Sequence, residues 1–228
     1  MHVLIVHAHP EPQSFNAAMT RTAVDTLEAN GHTVEVSDLY AMQFNPVAGW
    51  HDFPQAADPS FLHYQREQKI AFERQTYAPE IAWEHDKLTR ADLVIFQFPV
   101  WWRSSPAILK GWFDRVLGVG FAYGAGRVYS TGGLQGKRAL LSVTFGGPTS
   151  AAEAAEVLQQ LQDGVLAFVG FEVLSPFVVG GPRHLTADAR QAELQRYHET
   201  LEALTCDRTP PGQCHQRAPL VHDALEQA

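Results

Sequence analysis

The chain has 228 residues, of which 45% are hydrophobic, 11% aromatic and 18% charged. That is enough apolar material for one ample core or two modest ones, and it excludes disorder as the main state. Twenty-five acids against 17 Lys and Arg leave a formal net charge of −8; with no basic run, the chain is a poor fit to nucleic acid or an anionic membrane surface.

Residues 3–6 form a short apolar run of the kind found in buried strands of a parallel sheet. Segment 16–30 follows, with Met19, Ala23 and Leu27 at helical spacing and Gly31 where a helix stops. A second strand is expected at 33–37. The interval 40–87 is too long for a simple crossover, and its Pro, His, Gln and aromatic content reads as an excursion with short helices of its own. A third strand at 93–98 precedes Pro106, which suits the first turn of a helix over 107–117. A fourth strand is expected at 139–144, then a helix at 150–168 carrying Leu158, Leu161 and Val165. A fifth strand at 172–177 leads to a last helix at 186–204, opened by Thr186.

Residues 205–228 contain Pro210, Pro211 and Pro219 without an apolar period, and read as a tail. Both cysteines, Cys206 and Cys214, fall there, so no disulfide framework holds the fold, which suits a reducing cytoplasm. No stretch reaches the ~20 apolar residues of a membrane span, and residues 1–9 lack the cationic start of a secretory signal.

Strand and helix in alternation imply right-handed crossovers and an α/β three-layer sandwich, with residues 1–204 as a single domain. Five parallel strands is the number in flavodoxin-like sheets of order 2-1-3-4-5, an order the strand pattern itself does not dictate. In such sheets ligands bind beyond the carboxyl ends of the strands. That rule selects the loops 7–16, 99–105 and 145–150.

The first loop has no glycine, so it is neither a Walker loop nor a dinucleotide fingerprint. Ser14 and Asn16 instead offer side-chain donors at a helix N-terminus, which favours a phosphate; Ser14 reads equally well as an N-cap. His7 and His9 have no apparent third partner for a metal, and Cys206, Cys214, His215 and His222 match no standard zinc module. The second loop holds Trp101 and Trp102, whose planes suit a flat ring system or, alternatively, a plug in the core. In the third, Gly146 and Gly147 let backbone N–H groups approach a ligand, although Gly-Gly is also an ordinary turn. Three ring-friendly loops on one edge fit a phosphorylated heterocycle such as a flavin nucleotide.

At these residues the chain resembles the flavin-dependent NAD(P)H:quinone oxidoreductases, the DT-diaphorase family with its flavodoxin-like fold. The matching text is His9 with Ser14-Phe15-Asn16, Ser37-Asp-Leu-Tyr-Ala-Met42, Phe44-Asn-Pro46, Ala91-Asp-Leu-Val-Ile-Phe-Gln-Phe-Pro99, Pro106-Ala-Ile-Leu-Lys-Gly-Trp-Phe-Asp-Arg-Val116, Phe121-Ala-Tyr123, Gly146-Gly147 and Ala187-Asp-Ala-Arg190. The resemblance implies FAD, in preference to FMN, and NAD(P)H as co-substrate. His9, Phe15 and Asn16, with Ser14 nearby, would hold the ribityl–pyrophosphate part. Val100, Trp101, Trp102 and Arg103 would border the isoalloxazine; Thr144, Phe145, Gly146 and Gly147 would meet its polar edge, the two glycines stabilising charge. Arg190 would approach the adenine-side phosphate, and Tyr123 would line the pocket used in turn by nicotinamide and quinone.

The family further implies a homodimer with active sites at the interface, and ping-pong transfer of two electrons through the flavin N5. Three departures stand out. Pro148 to Phe168 contains neither the Tyr nor the His of the family's relay; Arg103 replaces a common aromatic, and Ala125 a common second Tyr. Alternatives with the same cofactor are an azo- or nitroreductase and a redox-sensing regulatory subunit of a membrane transporter. Arg103, Arg127 and Arg183 are the bases that could read a 2′-phosphate on the nicotinamide nucleotide.

Overall fold

The structure is a computed structural model whose described residues are 1–206. Strands β1 (His2–His7), β2 (Thr33–Asp38), β3 (Leu93–Pro99), β4 (Arg138–Phe145), β5 (Glu172–Val173) and β6 (Phe177–Gly180) form one parallel sheet. The order is β2-β1-β3-β4-β5, with β6 also beside β4. This is the flavodoxin-like order. Strand β3 is buried at all its positions, as a central strand covered on both faces must be.

The fifth strand expected at 172–177 is two pieces. β5 starts 34 residues after its partner (172 − 138) and β6 starts 35 after its own (177 − 142). One extra residue therefore interrupts the ladder at Leu174-Ser175-Pro176. A proline without an N–H is tolerated there because the strand is at the sheet edge.

Helices α1 (Phe15–Ala29) and α6 (Ala187–Cys206) cover one face. Met19, Ala23 and Leu27 of α1 and Tyr197 and Leu201 of α6 meet Val3, Ile5, Leu93, Ile95 and Leu140 there. The other face packs Leu88 of α3 (Pro79–Arg90), Trp112 and Phe113 of α4 (Ala107–Val116), and Leu158 of α5 (Ala151–Leu161) on Leu4, Val6, Phe96 and Leu141. The helix expected over 150–168 runs as α5 and then changes to a π-helical turn over Gln162–Ala167. Ser150 and Glu153 form a reciprocal capping box at its start. The last helix continues two residues beyond 204, and residues 207–228, with Cys214, His215 and His222, lie outside the described residues.

The excursion contains a 3-10 turn over Trp50–Asp52, α2 (Tyr64–Arg74) and α3. It is tied to α4 by a buried ion pair: Arg115 Nε donates to Asp52 Oδ1 at 2.8 Å, and both side chains are fully buried. Arg115 also donates to Glu80 and to the Asn45 carbonyl, while Tyr64 OH and the Gly49 N–H donate to Asp52 Oδ2. Gly111 lets α4 pass against the excursion; a Cβ there would lie 2.2 Å from the Pro46 carbonyl oxygen. Among the described residues, no helix is long and apolar enough to cross a membrane.

Candidate active site

A cavity of about 840 Å³ opens at the carboxyl ends of β1, β3 and β4, where the chain order reverses and α/β sheets bind ligands. Its size falls in the upper part of the range for small-molecule pockets, roughly 300–1,000 Å³. Three loops and the starts of two helices build its wall.

From the first loop come His9, Gln13, Ser14, Phe15 and Asn16. Ser14 is the N-cap of α1, its Oγ accepting from the Ala17 N–H at 3.1 Å, and it also lines the cavity. The first intrahelical bond of α1 runs from the Ala18 N–H to the Ser14 carbonyl. The amides of Phe15 and Asn16 therefore precede that ladder at the positive end of the helix dipole. The Glu11 N–H donates to His9 Nδ1 at 3.0 Å, so neutral His9 carries its proton on Nε2 and is a donor there. Burial holds the His9 pKa below its ordinary value. His7 is buried, bonds Thr20 Oγ1 at 2.9 Å and does not line the cavity, so the two histidines do not converge.

The second loop supplies Pro99, Val100 and Trp101. Trp101 and Ser104 exchange both backbone hydrogen bonds, closing a two-residue turn whose central residues, Trp102 and Arg103, have φ of 52° and 57°. Positive φ in non-glycine residues costs about 1–3 kcal/mol each, and such strain gathers at functional sites. Trp102 is 100% exposed and Trp101 42%, so the tryptophan pair does not plug the core. Arg103 pairs with Glu156 of α5 at 2.8 Å, both well exposed. Trp102 and Arg103 stand outside the cavity wall.

The third loop brings Thr144, Phe145 and Gly146. The Val100 N–H donates to the Thr144 carbonyl at 2.8 Å, fixing this loop to the second. A Cβ on Gly146 or Gly147 would meet nothing within 4 Å, and neither has a positive φ. Glycine here leaves the backbone bare beside the cavity, with Gly147 just beyond the wall.

The rest of the wall is formed by Pro182, Arg183, Ala187, Arg190, Gln191 and Leu194. Arg190 Nη1 donates to the Leu185 carbonyl at 2.7 Å, and the Thr186 hydroxyl caps α6 by accepting from the Ala189 N–H. Arg183, one of the three bases expected to read a 2′-phosphate, lines this wall together with Arg190. Its signal was Gly180-Gly181-Pro182, where Gly181 adopts a left-handed φ of 54° and turns the chain towards the pocket. Ala18, Pro182 and the α6 residues other than Arg190 fall outside the loops the sequence pointed to. Tyr123 lies away from the cavity wall, accepting from Gln65 Nε2 at 3.2 Å with its ring 5.5 Å from Phe168.

The donor set fits a flavin nucleotide: bare backbone, aromatic surface, one helix start, and two guanidiniums with a second helix start line a single cavity. The Flavodoxin_2 family profile, described as a flavodoxin-like fold, matches residues 1–203. A Pongo abelii protein named ribosyldihydronicotinamide dehydrogenase [quinone] is 43% identical over 221 residues, covering 93% of this chain and 96% of the relative. A Rattus norvegicus protein named NAD(P)H dehydrogenase [quinone] 1 is 43% identical over 209 residues, with 88% and 76% covered. The crystal structure of a candidate quinone reductase from Klebsiella pneumoniae superposes with a TM-score of 0.84 at 39% identity, covering 90% of this chain and 85% of the other. The chain belongs to the Flavodoxin_2 family of flavodoxin-like fold, together with these quinone dehydrogenase relatives.

Proposed function

We propose that the protein is a flavin-dependent NAD(P)H:quinone oxidoreductase catalysing NAD(P)H + H⁺ + quinone → NAD(P)⁺ + hydroquinone. The observation that supports this most is the cavity itself, whose lining combines Ser14, Phe15, Asn16, Val100, Trp101, Thr144, Phe145 and Gly146 at the switch point of the sheet. The relatives' names share a dihydronicotinamide donor and a quinone acceptor.

The bound flavin would supply two-electron transfer between donor and acceptor, in two half-reactions at one site. The chain's own groups would then do the holding. Arg183 and Arg190 with the α6 start would hold a second phosphate and its adenosine, and two cavity-lining guanidiniums support FAD over FMN. His9 Nε2–H and the α1 amides would face the pyrophosphate. Val100 and Trp101 would flank the ring, and the backbone at Gly146 and Gly147 would stabilise negative charge on its polar edge.

A homodimer is part of this proposal. Trp102 is wholly exposed on a strained turn beside the cavity, and Tyr123 and Arg103 stand outside its wall, so a second copy would complete the acceptor pocket. A reducing cytoplasm would supply NAD(P)H. Steady-state oxidation of NADH, NADPH and ribosyldihydronicotinamide with a soluble quinone tests the reaction. Parallel double-reciprocal lines are expected for ping-pong transfer; absence of quinone-dependent oxidation with all three donors overturns the assignment.

A further inference from the structure

Behind the cavity wall, a seam of buried polar side chains runs from α6 across the sheet. Gln97 of β3 is wholly buried and lies on the α1/α6 side, on the same face of the strand as Leu93 and Ile95. Its Nε2 donates to Asn16 Oδ1 at 2.9 Å, and Asn16 Nδ2 donates to Thr144 Oγ1 at 2.9 Å. Gln97 is also in register with Ser142 on β4, whose neighbour Leu140 packs on the same side. Tyr197 of α6 is wholly buried on this same side of the sheet. Yet Gln97 Oε1, Ser142 Oγ and Tyr197 OH, all buried, each lack a partner at full hydrogen-bond geometry. Apolar side chains at these positions would avoid that desolvation cost, so stability alone does not account for the seam.

A chain of amides has two self-consistent polarities. With Gln97 as donor, Thr144 Oγ accepts from Asn16 and keeps its own proton for the cavity it lines. In the reverse polarity, Asn16 Oδ1 takes the Thr144 proton, and the cavity meets only a hydroxyl oxygen. Gln97 Nε2 also lies 3.7 Å from the Met19 sulfur, which can accept but not donate, and this favours the first polarity. We propose that Gln97 is a positioning residue that fixes this direction, so that Thr144 presents a hydroxyl donor to an acceptor atom of the group bound in the cavity. This rests on the flavin assignment above.

The experiment measures FAD binding to the apoprotein by fluorescence quenching, with the visible spectrum of the complex as a second readout. Gln97→Met fits beside Met19, whose sulfur lies 3.7 Å from Gln97 Nε2, and offers no donor. Gln97→Glu, when ionised, accepts where Gln97 donates. Each variant is expected to bind FAD about tenfold more weakly, as loss of a hydrogen bond implies, and to shift the flavin spectrum. Both effects should vanish in a Thr144→Val background, whereas Thr144→Ser should keep them. If Gln97→Glu does not fold, Gln97→Met decides alone. Wild-type binding with Gln97→Met unchanged, or with its effect undiminished in Thr144→Val, overturns the role of Gln97. A wild-type protein that takes up neither FAD nor FMN overturns the flavin assignment, and this inference with it.

Discussion

Two buried polar clusters lie on opposite sides of the sheet and are built on different principles. Around Arg115, charge and hydrogen bonds are matched: Asp52, Glu80 and the Asn45 carbonyl accept from the guanidinium, and Tyr64 and Gly49 serve the remaining oxygen of Asp52. Around Gln97, three buried polar atoms stay without full partners, and the bonded part ends at a cavity wall. A matched cluster fastens one piece of chain to another; an open one costs stability and is retained for what it presents. The difference separates the residues that hold the excursion on the domain from those that serve the site.

The largest test of that separation is Arg115→Met. It leaves Asp52 buried without its cation and should cost about 3–5 kcal/mol of stability, seen as a large fall in urea midpoint, while FAD affinity of the folded fraction stays unchanged. Weakened FAD binding in that fraction would join the two clusters. At the site, Arg190→Ala should cost about 1.5–3 kcal/mol of FAD binding and leave FMN binding nearly intact, as isothermal titration would record. Equal losses for both flavins would remove the adenine-side assignment.

The excursion side also carries a pH signature. His85 stacks on Phe121 with centroids 3.9 Å apart, Nε2 bonds the Val116 carbonyl at 2.8 Å, and burial pulls its pKa down to about 4. The unfolded chain then binds the extra proton first as pH falls below the ordinary histidine value. Stability is therefore full above about pH 6.5 and declines towards pH 4, by roughly 2 kcal/mol at pH 5. His7 and His9, also lowered by burial, act in the same direction. Melting curves from pH 7.5 to 5 should show the decline, and His85→Leu should flatten much of it; an unchanged slope contradicts the assignment. Smallest of all, Arg103→Ala removes an ion pair whose partners are 61% and 73% exposed. It should change stability by less than about 1 kcal/mol, whatever it does to acceptor preference.

Much of the fold was legible because apolar periodicity is local. The apolar run 93–98 reads as a buried strand, and Met19, Ala23 and Leu27 have to share one face of α1. The break at Pro176 was visible as a residue but not as a bulge, since its effect depends on register against β4. At the site, Ser14, Asn16 and Gly146 could be read from their loops. The tryptophan pair could not be resolved that way, because composition favours burial while a left-handed turn places Trp102 in solvent. The seam was out of reach for another reason. Asn16, Gln97, Ser142 and Tyr197 are far apart in the chain, and only the strand order 2-1-3-4-5 brings them together.

The central claim is that this cavity binds a flavin that mediates between a dihydronicotinamide and a quinone. Anaerobic titration of the purified, flavin-loaded protein tests it most directly. The expected result is loss of the oxidised-flavin absorbance with one equivalent of NAD(P)H per site, and its full return with one equivalent of quinone. A protein that binds no flavin, or whose flavin spectrum is indifferent to both additions, would contradict the account.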